Sequence, residues 1–248
     1  TAAALEALGA ELGYTLEVCG ARRVGQVVAL TLAEKGAHVA FTYRSGDPAQ
    51  TLAGIQAQGV EGLALQLDVL EWEQPKAAVE QVVQRFGRVD VLVNNASVWQ
   101  SAPFLEITRR QWETSIGANL TGPFLCAQAV APYMLEQESG HIVNISDLSA
   151  HQTWPRFADH SASKAGLEAL TRVMAAELAP HVRVNAIAPG TILLPDGATE
   201  AKRNWAVENS LLKRVGTPED VARTVIFLTE SEFVTGAVFF VDGGRALV

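Results

Sequence analysis

Asp147, His160 and Lys164 lie within one stretch, DLSAHQTWPRFADHSASK, and offer a carboxylate, an imidazole and an ammonium. Lys164 follows His160 by four residues, so on a helix the two side chains share a face and can meet. An imidazole titrates near ~6.5, against about 10 for a phenol, and can act as a general acid at neutral pH with little tuning. The Lys164 cation opposes a proton on His160, whereas the Asp147 carboxylate favours one. Such a trio can exchange a proton with a reacting oxygen or nitrogen. Asp147 also has a plainer reading as the cap of a turn or helix.

A second set of residues suits a dinucleotide. Gly20-Ala-Arg-Arg-Val-Gly25 joins a strand expected near Tyr14–Cys19 to a helix beginning near Val24. A glycine turn there lets phosphate approach the backbone, and Gly20, Arg22, Arg23, Val24 and Gly25 are the candidate contacts. Further candidates close later strands: Asp68 and Val69, then Asn95, Ala96 and Ser97, then Pro189, Gly190, Thr191 and Ile192. All are expected at carboxyl ends of parallel strands, where open α/β sheets bind ligands. Each taken singly is also an ordinary turn. The second strand ends in Tyr43-Arg44-Ser45, with no carboxylate to hold a ribose diol and with a guanidinium that grips a phosphate. That favours NADP(H) over NAD, unless Arg44 is simply solvated.

The elements that must position these groups alternate. Short runs at 38–43, 62–67, 89–93, 141–145, 182–187 and 237–241 read as strands. Helical patterns fall near 24–36, 48–58, 72–87, 109–136, 160–178 and 217–229. The last begins Thr217-Pro218-Glu219-Asp220, with an N-cap, a Pro at the first helical position and an acidic first turn. The alternation predicts right-handed βαβ units in a single α/β domain over residues 1–248, a Rossmann-type doubly wound parallel sheet with helices on both faces. Residues 1–13 read as an arm without assigned function, and 193–210, polar and interrupted by Pro195 and Gly197, as a mobile lid over a pocket. Leu167, Leu170, Val173 and Met174 form an apolar stripe suited either to the core or to a contact between subunits.

Bulk properties exclude several classes. A length of 248 residues suffices for one large core. The net charge of −8 disfavours nucleic acid and anionic membrane as partners. No apolar run is long enough to span a bilayer, and the N-terminus lacks a secretory pattern. Cys19 and Cys126 make no disulfide framework, so a cytoplasmic protein is expected. His141, His151 and His181 lack metal-ligand spacing, and no metal is expected.

From about Val18 to Leu247 the chain resembles the short-chain dehydrogenase/reductases. The matching pieces are Asn94-Asn95-Ala96-Ser97, Asn119 in GANLTG, HIVNIS, SASKAG, RVNAIAPG and the closing VDGG. The resemblance implies a nicotinamide cofactor, hydride transfer from its B-face to a carbonyl or imine, and a homotetramer. It implies that Lys164 holds the nicotinamide ribose and that Asn119 anchors a water chain. Within the family the chain is most similar to pteridine reductases, on Asp147 where most relatives have Ser, on Ser97, and on Trp99 two residues later. That likeness implies a pterin or similar flat heteroaromatic small molecule, with Arg23, Ser97, Trp99, Asp147 and His160 around it. Trp99 has core packing as its alternative.

The sequence departs from the family pattern twice. Val18 and Cys19 occupy positions where the family's loop opens with Thr-Gly, and His160 occupies the position of the catalytic Tyr. An imidazole reaches about 1–2 Å less far than a phenol, a displacement that can cost ~100-fold in rate. Two alternatives to a pterin reductase therefore stand: a cofactor-binding protein of the same fold with little catalysis, or an NADPH-dependent reductase of ketones or sugars.

Overall fold

In the computed structural model, which describes residues 14–18, 24–194 and 197–248, seven parallel strands form one sheet in the order β3-β2-β1-β4-β5-β6-β7. The strands are β1 (Tyr14–Val18), β2 (His38–Tyr43), β3 (Gly62–Gln66), β4 (Val91–Asn94), β5 (Gly140–Ile145), β6 (Val182–Pro189) and β7 (Val238–Val241). Between and after them lie α1 (Val24–Glu34), α2 (Ala49–Gln56), α3 (Gln74–Phe86), α4 (Arg109–Ile116), α5 (Gly122–Glu136), α6 (Ala158–Leu178), α7 (Glu200–Glu208) and α8 (Pro218–Glu230). Period-two alternation along the strands sends neighbouring side chains to opposite faces and so feeds two cores. Leu92 and Ile142 pack on one side of the sheet with Val82, Val130 and Met134. Their neighbours Val93 and Val143 pack on the other side with Val28, Leu32 and Val225.

The chain winds outward from β1 in both directions, so β1 lies between β2 and β4 and the strand order reverses there. A crevice opens at such a point, outside the carboxyl ends of the strands. β1 and β4 pair in register, Val18 beside Asn94, so the strand ends that flank it align. Asn94 itself is spent on structure. Its amide donates to Asn144 Oδ1 at 2.9 Å, and Asn144 donates to Thr171 Oγ1 at 2.8 Å, tying β4 to β5 and α6.

The expected strands and helices occur with shifts of a few residues at their ends. The Thr217 cap is a full capping box, its hydroxyl on the Asp220 side of the turn and the Asp220 carboxylate on the Thr217 backbone. One expectation needs correction. The helix expected over 109–136 is two helices joined by a π-turn at Gly117–Thr121. The extra residue turns Asn119 inward to bond the chain after β4, which local propensity does not encode. The segment 193–210 contains α7, capped by the Thr199 side chain on Lys202 N. The stripe on α6 is divided: Leu167 and Met174 are core, Leu170 packs against it, and Val173 is exposed. No helix among the described residues is long and apolar enough to cross a membrane.

Candidate active site

α6 starts just before His160, so His160 and Lys164 occupy successive turns of one face and both are buried. His160 Nδ1 lies 3.1 Å from Val98 O and 3.2 Å from Asn119 Nδ2. Asn119 is fixed independently. Its Oδ1 accepts from Val98 N at 2.8 Å and Ser97 Oγ at 3.0 Å, and its Nδ2 donates to Val98 O and to Ser163 Oγ. Two amide protons already find oxygen acceptors, so Nδ1 is best placed to donate to Val98 O. That leaves Nε2, buried and without a hydrogen-bond partner among the described residues, as the nitrogen free to exchange a proton. Nε2 stands 3.8 Å from Asp147 Oδ2, an ion-pair separation rather than a hydrogen bond.

Asp147 follows β5, where it caps a turn and faces His160. One oxygen caps the 3-10 turn Leu148–Ala150 by accepting from Ser149 N at 2.7 Å, and the other faces His160. Burial opposes its charge, but His160, the Ser149 N–H and Lys164 outweigh burial and hold the carboxyl below its ordinary range. Lys164 Nζ donates to Ile145 O at 2.7 Å. Burial draws its ammonium down to about 8, partly offset by Asp147 and Glu168. Glu168, one turn beyond Lys164, accepts from Ser146 Oγ at 2.6 Å and pairs with His151 Nε2 at 2.8 Å. Sequence reasoning missed Glu168, although its spacing of four from Lys164 was a usable signal.

Trp99 lies against His160. Its ring lies 5.2 Å from that of His160 with 34° between planes, and Phe157 meets it edge-on at 5.1 Å. Being 56% exposed, Trp99 is not core filler. It forms one wall of a cavity of about 1160 Å³ with Trp154, Phe157, Trp205, Ile145 and Arg245 among the described lining residues. His160 is 1% exposed and lies under Trp99 rather than in the cavity wall, so the imidazole's short reach has a structural counterpart. A smaller hollow of about 640 Å³ behind β7 touches none of Asp147, His160 and Lys164.

Of the expected cofactor contacts, Val24, Pro189, Gly190, Thr191 and Ile192 line the large cavity. Gly190 is required by packing, since a Cβ there would stand 2.8 Å from Asp242 Cα. Arg44 and Ser45 are exposed at the end of β2, and no carboxylate pairs with Arg44 among the described residues. Tyr43 packs partly on the core between α1 and α2. Asp68 is turned onto its own loop, accepting from Leu70 N, and Val69 is buried against Gly122. Gly25 is buried at the start of α1, while Asn95 and Ala96 are half-buried after β4. Gly20, Arg22 and Arg23 lie outside the described residues, as do Cys19, residues 1–13, Pro195 and Asp196. No cluster of metal-ligating side chains occurs among the described residues. Trp112 is exposed and does not line the cavity.

Known proteins match this arrangement along nearly the whole chain. The family model described as enoyl-(acyl carrier protein) reductase matches residues 20–246. The 3-oxoacyl-(acyl-carrier-protein) reductase FabG of Staphylococcus epidermidis is 38% identical over 235 residues, covering 92% of this chain and 96% of that protein. The corresponding FabG of Thermotoga maritima is 38% identical over 231 residues, covering 90% and 94%. Among solved structures, acetoin dehydrogenase from Enterobacter cloacae superposes with a TM-score of 0.87 at 35% identity, covering 95% of this chain and 96% of that one. A variant short-chain dehydrogenase/reductase from Serratia marcescens gives 0.89 at 28% identity, covering 94% and 98%. By sequence, strand order and the placing of its motifs, the chain belongs to the short-chain dehydrogenase/reductase family of oxidoreductases.

Proposed function

We propose that the chain is an NADPH-dependent reductase of flat, conjugated carbonyl or imine compounds, with a pterin-type ring as the leading substrate class. The observation that carries this reading is the gathering of Asp147, His160, Asn119 and Lys164 into one buried cluster, with His160 lying against Trp99 in the wall of a ring-lined cavity. The cofactor, when bound, supplies the hydride. Arg44, a cation unpaired by any described carboxylate at the end of β2, suits a ribose 2′-phosphate, and Lys164 on Ile145 O suits the nicotinamide ribose. Val24, Gly190, Thr191 and Ile192 offer the wall along which the dinucleotide would lie.

Hydride addition to a C=O or C=N leaves an anion that takes one proton. Since Nδ1–H stays on Val98 O, Nε2 carries that proton as part of the imidazolium, and Asp147 faces both Nε2 and the less buried side of the cluster. The proton passes from Nε2 through Asp147 or one water, and solvent restores it. Trp99 orients the substrate ring by stacking. A second reading rests on the FabG relatives, whose names specify 3-oxoacyl thioesters. The aromatic walls favour a ring over an acyl chain. A third reading, cofactor binding with little catalysis, draws on the burial of His160 under Trp99. As in the family at large, a homotetramer is proposed for assembly.

Consumption of NADPH with dihydrobiopterin and with acetoacetyl-CoA tests the set. Turnover of the pterin by the native chain supports the first reading, and turnover of the thioester alone replaces it with the second. No turnover of either, followed by a large gain in His160→Tyr, establishes the third.

A further inference from the structure

The cavity wall holds one guanidinium in an unusual setting. Arg245 lies between two indoles, its Cζ 4.7 Å from the Trp154 ring and 4.9 Å from the Trp205 ring. Trp154 comes from the loop before α6, Trp205 from α7, and Arg245 from the tail after β7, so three separate elements converge on one cation. The tail is held in place from behind. Asp242 accepts from Gly244 N at 2.9 Å and from Ala246 N at 2.7 Å, and the Arg245 carbonyl accepts from Gln152 Nε2 at 3.0 Å. Among the described residues the guanidinium has one hydrogen bond, from Nη1 to Thr191 Oγ1 at 2.6 Å; the Asp147 and Asp242 carboxylates lie near enough to act on its charge, but neither forms an ion pair with it.

Five N–H donors with a single acceptor, half removed from water, leave a planar fork open toward a cavity otherwise walled mainly by rings and aliphatic chains. Indole faces on both sides fix the plane of that fork and keep water from its faces. Lys202, the other cation in the lining, is exposed on α7 and has no such setting.

We propose that Arg245 is an anion-binding residue of the substrate cavity and selects flat substrates that carry a carboxylate. This deepens the reductase reading and rests on it for the word substrate. Trp99 stacks the ring, Arg245 takes the carboxylate in a bidentate fork, and the reducible C=O or C=N is thereby aligned beside the Asp147–His160 pair. A neutral isostere leaves the fork partly unpaired in the cavity and binds less well.

The test separates binding from turnover. Quenching of tryptophan fluorescence by benzoate and by benzamide is measured on the native chain with NADPH present, since Trp99, Trp154 and Trp205 all line the cavity. Benzoate is expected to bind at least about tenfold tighter than benzamide, as a charge-assisted pair warrants. Arg245→Met should abolish the preference, and Arg245→Lys, which keeps the charge without the fork, should retain part of it. Circular dichroism and the NADPH dissociation constant are followed in each variant. Equal binding of the two probes by the native chain overturns the proposal, as does a preference that survives Arg245→Met. A loss of NADPH affinity in Arg245→Lys, with the probe preference intact, also overturns it and assigns the guanidinium to the cofactor. If benzoate binds through Arg245 but no carbonyl compound is reduced, the anion site stands and the reductase reading falls.

Discussion

Lys164 provides the sharpest physical test, because its charge is held where burial resists it. The ammonium titrates at about 8 in the fold against 10.5 in the open chain. At about 1.4 kcal/mol per pH unit, that difference corresponds to on the order of 3 kcal/mol. Below pH 8 the lysine is protonated in both folded and unfolded chains, and the fold bears the whole cost of burying the charge. Between 8 and 10.5 the unfolded chain binds the extra proton, so stability rises with pH across that window. Replacing Lys164 with Met removes the titration but also leaves Ile145 O without its 2.7 Å donor, a loss of about 1–3 kcal/mol. The two changes oppose each other at neutral pH, so Lys164→Met should sit within about 2 kcal/mol of the native chain there. Urea unfolding at about pH 7 and about pH 10 should then show the native chain gaining on the variant by ~2–3 kcal/mol. Other lysines and tyrosines cancel in that difference. Equal pH slopes for the two proteins would falsify the assignment of a desolvated, charged Lys164. In the same preparations NADPH binding should weaken in the variant at every pH.

Further outcomes follow from local packing. Gly190→Ala drives a methyl against the Asp242 backbone 2.8 Å away, and a loss of about 1–3 kcal/mol in urea unfolding is expected. Because Asp242 braces the Arg245 tail, the same variant should also weaken benzoate binding. Thr217→Ala removes the cap of α8 and should cost about 1 kcal/mol, with no change in NADPH affinity. Asp220, held at about 2 by Arg214, its Thr217 N–H and Arg223, contributes stability above its open-chain value that is lost as pH falls from 3.8 toward 2. Asp220→Asn should flatten the acid limb of a stability profile accordingly. Cys126 is buried in the core and its thiol is pushed up to about 12, so site-resolved mass spectrometry should find it unalkylated until the chain unfolds.

The order of elements, the parallel sheet, the α8 cap and the shared helical face of His160 and Lys164 were legible in the chain because each is a short-range pattern. Period-two alternation decides a strand, and a spacing of four decides a shared helical face, before any tertiary contact forms. The family resemblance added the motif order, and the pairing of Asp147 with His160 followed from it. What local patterns could not supply depends on residues far apart in sequence. The π-turn at Gly117–Thr121 exists because Asn119 bonds Val98, some twenty positions earlier. The short imidazole ends up under Trp99, whose side chain arrives from the loop after β4. The place of Arg245, after the last strand, says nothing of the two indoles that enclose it, which come from residues 154 and 205. Sequence determined which chemistry was present, since side-chain type and helical spacing are local properties. Tertiary structure alone decided which of those groups are buried, covered or open to the cavity, because burial is a property of the packed whole.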